Sequence, residues 1–243
     1  LHSSRRSATV SWTPSKEILL ADGWVSGISL RRKRSWPPLP TFCPGVAGAG
    51  SVLLAMKKIK RILITAGPTR EHIDPVRFIT NLSSGRMGFS LARSALRKGY
   101  KVSLVSGPVD LRPPRGASFY PVVSALQMKK VCAKLFRSHD CLIMTAAVCD
   151  FMPSETGRHK LPSRGGLTLR LKRTPDILAG LSRNKGKRIV IGFCLETKDL
   201  LRRAGEKLAE KNLDGIVANY YDPARHIPFG KRNVRTVLID RTG

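Results

Sequence analysis

The chain has 243 residues, of which 42% are hydrophobic and 25% charged, enough for one sizeable globular domain or for one domain with an appendage. It contains no run of about 18 uninterrupted apolar residues, which argues against a transmembrane helix. The formal net charge of +28 suits a polyanionic ligand, either a triphosphate or a nucleic acid, but no basic aromatic stripe and no recognised nucleic-acid motif accompanies it.

Cysteine usage indicates the redox environment. The number of cysteines is odd, and no two of them share a spacing typical of metal ligands. Most fall in apolar or helical segments, where a free thiol behaves as a small hydrophobic group. We therefore expect a reducing, cytoplasmic protein without disulfides or structural zinc. The residues are Cys43, Cys132, Cys141, Cys149 and Cys194.

Residues 1–55 differ from the rest of the chain. They contain Ser, Pro and two Arg clusters without clear periodicity, and they carry a net charge of +5 against +23 for residues 56–243. Met56 is followed by a basic run and a clean apolar strand, so the simplest interpretation is that the leader is a disordered or mis-called extension. A transit peptide is the alternative. In either case we expect the leader to lie outside the fold and one domain to span residues 56–243.

From residue 61 onward, apolar runs alternate with helical patterns. Alternation of this kind predicts a three-layer, Rossmann-like α/β/α sandwich with a mostly parallel sheet, in which ligands bind beyond the carboxyl ends of the strands. The runs are rich in Val, Ile and Leu at successive positions, as in strands that are covered on both faces. Strands are predicted at 61–66, 101–106, 141–146, 188–193, 215–218 and 234–239, and helices near 86–98, 124–137, 175–183 and 198–212.

The segment after the first strand contains the first candidate site. Neither a Gly-x-Gly-x-x-Gly fingerprint nor a Walker-type loop is present, which argues against the commonest cofactors of α/β chains. Ser83, Ser84 and Gly85 precede the first predicted helix, and free amides at a helix N-terminus form a natural phosphate site. The alternative is that Ser84 simply caps the helix.

The segments after the later strands add further candidates. Asp150, after the third strand, could bind a hydroxyl group or a metal, although such a residue is more often a cap or turn residue. The loop 153–166 carries Arg158, Lys160 and Arg164 and resembles a flexible lid over an anionic substrate, with a solvated loop as the alternative. Lys207 and Lys211 share one helical face and could bind a polyphosphate or simply face solvent.

Together, and in this order, these segments resemble the phosphopantothenoylcysteine synthetase family, also called phosphopantothenate–cysteine ligase. The long stretch "ITAGPTREHIDPVRFITNLSSGRMG" looks like the opening signature of that family almost throughout. The stretches "AAVCDF", "TPDIL", "GFCLET", "KLAEKNLD" and "VAN" follow at compatible spacings, so the resemblance covers about residues 59–240.

The resemblance implies a ligase of coenzyme A biosynthesis. In that family, 4′-phosphopantothenate reacts with a nucleoside triphosphate to give an acyl-nucleotide and pyrophosphate, and the amine of cysteine then displaces the nucleotide. Because the motifs look bacterial, we expect CTP with Mg²⁺ rather than ATP, and hence an acyl-CMP intermediate. The resemblance also implies a homodimer. Many bacterial relatives carry a flavin-dependent decarboxylase domain, which 55 residues cannot encode, so we expect no FMN here and a decarboxylase activity on a separate chain. From composition and motifs we expect no membrane and no dedicated nucleic-acid partner.

The resemblance also assigns roles to single residues. Asn81 would hold the acyl-nucleotide, Arg77 would assist it, and Lys160 would offset charge on the phosphates. From the helix N-terminus rather than from the resemblance, Ser83, Ser84 and Gly85 are expected to bind the phosphate of the substrate. The metal ligands remain unassigned. The predicted nucleotide contacts are Met144, Thr145, Ala146, Asp150, Lys160, Pro175, Asp176, Ile177, Leu178, Phe193, Lys207 and Lys211.

The sequence departs from the family pattern in three places, and three other interpretations compete with this assignment. Lys160 lacks the lysines that usually follow it, Cys149 replaces a typical alanine, and the end at Gly243 suggests a chain truncated at its C-terminus. The alternatives are an NAD(P)-binding oxidoreductase of Rossmann type, a basic nucleic-acid-binding module, and an inactive degenerate copy.

Overall fold

A computed structural model describes residues 10–11, 59–220 and 235–241. Almost all of the predicted leader, and the final residues on which the prediction of a truncated end depends, lie outside the described residues. Within these ranges, no helix combines the length and the apolar character needed to cross a membrane. The four described cysteines are free and buried, and burial raises the pKa of the Cys132 thiol to about 12.

Twelve strands and four helices make up the described fold. The strands are β1 (Val10–Ser11), β2 (Arg61–Ala66), β3 (Arg70–His72), β4 (Phe78–Thr80), β5 (Lys101–Ser106), β6 (Ser118–Pro121), β7 (Cys141–Met144), β8 (Phe151–Pro153), β9 (Leu171–Arg173), β10 (Ile189–Glu196), β11 (Gly215–Tyr220) and β12 (Arg235–Asp240). The helices are α1 (Arg86–Arg97), α2 (Ala125–Phe136), α3 (Ile177–Arg183) and α4 (Leu200–Glu210).

Eight strands form one central sheet in the order β1-β12-β11-β10-β7-β2-β5-β6. The six strands from β11 to β6 run parallel, whereas β12 is antiparallel to β11 and β1 is antiparallel to β12. The carboxyl ends of the parallel strands therefore meet at one edge. Two small antiparallel hairpins, β3–β4 and β8–β9, stand beside this sheet.

Apolar side chains on both faces of the sheet explain why its strands are nearly continuous hydrophobic runs. Successive residues of a strand point to opposite faces, so Leu63 of β2 packs into one core and Ile64 into the other. The first core includes residues of α2, α3 and α4, and the second is closed by α1 through Phe89 and Ala92. This is the predicted three-layer arrangement, and it confirms the fold class.

The six predicted strands and four predicted helices are all present, with ends that shift by at most a few residues. Helix α2 begins as its sequence suggests, because Ser124 and Gln127 form a reciprocal capping box. The prediction missed β1, a strand of two residues that pairs with β12 although it belongs to the leader expected outside the fold. It also missed β3, β4, β6, β8 and β9. These strands have three or four residues each and are partly exposed, so they lack the apolar run that marks the central strands.

Candidate functional site

A cavity of about 1230 Å³ opens at the carboxyl edge of the parallel strands. Its walls come from the loop after β4, the first turn of α1, the segments after β7 and β9, the end of β10, and helix α4 with the residue that follows it. This is the position in which open parallel sheets bind ligands. The cavity therefore brings together segments that lie more than a hundred residues apart in the sequence.

One corner of the cavity has the geometry of an anion site. Helix α1 begins at Arg86, and its N-cap is Gly85 with a φ of 72° and no side-chain hydrogen bond. Ser84 therefore does not cap the helix, so the simpler explanation of this motif is wrong. The amides of the first turn have no intrahelical acceptor, and together with Ser83 and Ser84 they line the cavity.

Gly88 allows α1 to lie close to the sheet at this corner. A Cβ atom at position 88 would stand 2.5 Å from Cβ of Ala66 and 2.6 Å from Oγ1 of Thr145. Only a residue without a side chain fits between the helix and the carboxyl end of β2. The close approach holds the N-terminus of α1 beside the neighbouring strand ends.

Asn81 lies beside this anion corner. Its Nδ2 donates to the carbonyl oxygen of Ala147 at 3.1 Å, which orients the amide across the loop after β7. Both residues line the cavity. The side chain is exposed, so Oδ1 stays available to a ligand.

The structure also brings most of the predicted nucleotide contacts to this cavity. The contacts that line it come from the carboxyl end of β7, the start of α3, the middle of β10, and α4 with the residue that follows it. They are Met144, Thr145, Ala146, Asp150, Pro175, Asp176, Ile177, Leu178, Phe193, Lys207 and Lys211. Their contacts with a nucleotide remain predictions.

Both lysines of the cavity are engaged in ion pairs. Nζ of Lys207 lies 2.5 Å from the buried carboxylate of Glu196, and Nζ of Lys211 lies 2.9 Å from Asp176. Asp176 also caps α3, because its Oδ1 accepts from the N–H of Ala179 at 2.9 Å. Partial burial opposes ionisation of Asp176, but the bonds from Ala179 and Lys211 outweigh it and lower the pKa of this carboxyl.

Two predicted site residues, Arg77 and Lys160, do not line the cavity. Arg77 bonds Asp74 through Nε and Nη2, at 2.9 and 2.6 Å, and its Nη2 also donates to the carbonyl oxygen of Leu161 at 2.8 Å. Lys160 is exposed in the neighbouring loop. The structure thus groups Arg77 with the predicted lid rather than with Asn81.

Sequence reasoning missed Asn219, although its stretch "VAN" had been noticed. This residue lies next to the last residue of β11 and lines the cavity. Its Oδ1 is buried and has no hydrogen-bond partner among the described residues. An unpaired buried acceptor is costly, so Asn219 is a candidate ligand contact. A polar residue near the end of an otherwise apolar strand was the available signal.

The carboxylates that line the cavity could hold a metal ion only together with the phosphate groups of a substrate. No group of three or more His, Cys, Asp or Glu residues that could hold an ion occurs in the described ranges. Two carboxylates line the cavity, and Asp176 is already paired with Lys211, which leaves Asp150. Because Mg²⁺ is commonly held by one or two carboxylates together with substrate phosphates, this donor set fits an ion that arrives with a triphosphate.

The fold and cavity define a Rossmann-like α/β domain in which a corner with the geometry of an anion site lies at the carboxyl edge of the parallel strands. Comparison with known proteins specifies it further. Residues 57–243 match the family described as "DNA/pantothenate metabolism flavoprotein C-terminal domain", and the chain belongs to that family.

Two curated proteins are similar to a large part of this chain. The chain is 51% identical over 162 residues to the coenzyme A biosynthesis bifunctional protein CoaBC of Bacillus subtilis, which covers 66% of this chain and 40% of the relative. It is 44% identical over 187 residues to a cysteine/cysteine sulfinic acid decarboxylase of an unknown prokaryotic organism, covering 75% of this chain and 52% of the relative. The chain thus spans about half the length of these relatives, or less.

A solved structure supports the same conclusion. The C-terminal domain of a coenzyme A biosynthesis bifunctional protein CoaBC superposes with a TM-score of 0.60 at 39% identity, covering 74% of this chain and 85% of that chain. The resemblance to the phosphopantothenoylcysteine synthetase family is thereby confirmed.

Proposed function

We propose that this protein is a phosphopantothenate–cysteine ligase of coenzyme A biosynthesis. One observation carries the proposal: the anion corner, Asn81 and all of the predicted nucleotide contacts except Lys160 line one cavity in a domain of this family. The reaction needs positioned anions and charge stabilisation more than a strong base. A cavity with an uncapped helix N-terminus and two lysines supplies both.

The reaction would proceed in two balanced steps. First, a carboxylate oxygen of 4′-phosphopantothenate attacks the α-phosphorus of CTP, and the bond to pyrophosphate breaks to leave an acyl-CMP. The amine of cysteine then attacks the acyl carbon, an amide forms, a proton is released and CMP departs. Asn81 would hold the mixed anhydride between these steps, because its amide offers both a donor and an acceptor.

Different charged groups of the cavity would bind the different phosphates of the two substrates. The first turn of α1 suits the terminal phosphate of the pantothenate substrate. Lys207 and Lys211 would exchange Glu196 and Asp176 for oxygens of the triphosphate, and Asp150 would hold Mg²⁺ against it. Magnesium would supply charge neutralisation at the α-phosphate. Lys160 would act once its loop closes over the cavity.

The direct test is release of pyrophosphate from CTP in the presence of Mg²⁺. We expect release that requires 4′-phosphopantothenate, that does not require cysteine for the first turnover, and that is faster with CTP than with ATP. Asn81→Ala should lose the acyl-CMP detected after a quench while its thermal melt is unchanged. Absence of substrate-dependent pyrophosphate release from a folded, full-length chain would reject the proposal.

Binding without turnover would favour one of the alternatives. Tight spectroscopic binding of NADPH would favour the oxidoreductase. Steeply salt-dependent binding of duplex or single strands would favour the nucleic-acid module.

We further propose that the ligase works as a homodimer. The β3–β4 and β8–β9 hairpins lie against each other and expose large apolar side chains. Exposed large apolar side chains are typical of interaction surfaces, and a second copy of the chain would bury them. The exposed side chains are Val76, Phe78, Leu82, Phe151 and Leu171.

A further inference from the structure

The carboxylate of Asp74 has more partners than a turn residue needs. It lies in the connection between β3 and β4 and is fully buried. Oδ1 accepts from the N–H groups of Val76 and Arg77, both at 2.8 Å, which closes the local turn. Oδ2 accepts from the side chain of Arg77 at 2.6 and 2.9 Å and from the N–H of Leu161 at 3.1 Å. The second oxygen therefore bonds a segment 87 residues away.

The bond to Leu161 is one of several that dock the predicted lid on the β3–β4 hairpin. The N–H of Gly157 donates to the carbonyl oxygen of Ile73 at 2.8 Å, and Oγ1 of Thr156 donates to that of His72 at 3.2 Å. Arg77 closes the arrangement by donating to the carbonyl oxygen of Leu161. Both backbone groups of Leu161 are thus held by the Asp74–Arg77 pair.

The hairpin that carries this pair is itself fixed to the body of the domain. The buried carboxylate of Glu71 in β3 accepts from the N–H of Ala125 at 2.8 Å, at the start of α2. The N–H of Arg70 donates to the carbonyl oxygen of Val123 at 2.8 Å. A rigid platform on one side and a loop on the other therefore meet at Asp74.

We propose that Asp74 is a positioning residue that fixes the base of the lid and thereby the place from which Lys160 acts. Lys160 directly precedes the N–H that Asp74 holds, and Arg77 is bonded to the same oxygen. The carboxylate joins both cationic residues in one unit, so that they reach an anionic substrate together. Asp74 itself need not touch substrate. The inference rests on the proposed ligase function, although the anchoring can be tested without it.

Limited trypsin digestion and amide exchange test the anchoring directly. Asp74→Asn keeps an acceptor at Oδ1 for the turn but replaces the acceptor facing Leu161 and Arg77 with a donor. We expect cleavage after Arg158, Lys160 and Arg164 to become about tenfold faster, and exchange of the Leu161 amide to lose its protection. Glu155→Gln, which removes an exposed charge from the same loop, should leave both unchanged. Wild-type protection in Asp74→Asn would overturn the proposal.

Kinetics test the positioning. Asp74→Asn should lower kcat for pyrophosphate release by about tenfold or more, since small misplacements of catalytic groups are costly, while KM for CTP stays within about twofold. In the Lys160→Ala variant, Asp74→Asn should not lower kcat further, because the amine that Asp74 positions is already absent. The proposal would be contradicted if the two substitutions lowered kcat independently, so that their effects multiplied in the double variant. A loosened lid with unchanged kcat in Asp74→Asn would also contradict it.

A second pair of variants covers the case in which Asp74→Asn does not fold. Leu161→Pro removes the N–H at the lid end of the bond together with the leucine side chain, and fixes the local φ. Leu161→Ala removes the same side chain but keeps the N–H. The proline variant should reproduce the fast cleavage after Arg158 and Arg164 and the lowered kcat, and the alanine variant should not; cleavage after Lys160 is left out of this comparison because trypsin does not cut a Lys–Pro bond. Equal behaviour of the two would overturn the role of this bond. If the wild type itself releases no pyrophosphate, the ligase proposal fails while the proteolysis results still decide the anchoring.

Discussion

At the scale of single residues, Oδ1 of the half-buried Asn219 is shielded from solvent and has no hydrogen-bond partner among the described residues. Removing a buried acceptor that lacks a partner should not destabilise the free protein, and it can stabilise it by about 1 kcal/mol. If a nucleotide supplies the missing donor, the same change should raise KM for CTP by about tenfold. Asn219→Ala is therefore expected to melt at or above the wild-type temperature while calorimetry reports weaker CTP binding. A lowered melting temperature with unchanged affinity would assign the residue a structural role instead.

Asp176 gives a second prediction at this scale, on pH dependence. Its folded-state pKa is lowered, so the carboxylate stabilises the fold above the ordinary aspartate pKa of about 3.9, and this contribution is lost as the pH falls below that value. Asp176→Asn keeps the cap at Oδ1 but loses the pair with Lys211. We expect it to melt below the wild type at pH 7 and to approach the wild type near pH 3 in thermal scans. Lys211→Gln should reproduce part of this pattern, whereas a difference that is constant with pH would exclude a role for the charge.

At the scale of elements, the approach of α1 to the end of β2 decides whether the anion corner forms. Gly88→Ala places a methyl group within 3 Å of Ala66 and Thr145, so we expect a loss of about 1–3 kcal/mol in the free energy of unfolding and weaker binding of the anionic substrate. Gly205→Ala in α4 is the matched control. Nothing lies within 4 Å of its added methyl group, and it should stabilise by about 0.5–1 kcal/mol.

Urea denaturation of these two variants provides the measurement. Opposite shifts of the midpoint are expected, with unchanged slopes. If Gly88→Ala were as stable as Gly205→Ala, the close contact between α1 and β2 would not be needed.

At the scale of the whole molecule, the apolar side chains of the two hairpins predict self-association. Val76 is 60% exposed at the centre of the β3–β4 connection, so Val76→Glu should bury a charge in the proposed interface and give a monomer by light scattering. Leu201→Glu changes a side chain that is 39% exposed on α4, a helix that packs against β10, β11 and β12, and should leave the dimer intact. A wild-type protein that is monomeric at micromolar concentration would contradict the prediction.

Much of the fold followed from local sequence, and the reasons are visible in particular elements. Runs such as Arg61–Ala66 and Lys101–Ser106 were located to the residue, because strands covered on both faces must be apolar throughout. The short hairpin strands were missed, since Phe78–Thr80 and Leu171–Arg173 face solvent and are held by tertiary contacts. The site divided in the same way. Lining residues next to strand ends were predicted, whereas the unmet bond of Asn219 and the partners of Arg77 depend on distant segments.

The sequence by itself determined the layer order, the edge at which ligands bind and the family, because periodicity and contiguous motifs are local properties of a chain. Only the tertiary structure decided which polar and charged groups meet. Asp74 and Leu161 are 87 positions apart, and Lys207 and Glu196 lie on different elements, yet each pair is within bonding distance. Pairings of this kind arise from the packing of α4, the hairpins and the lid around the sheet, and no local pattern encodes them.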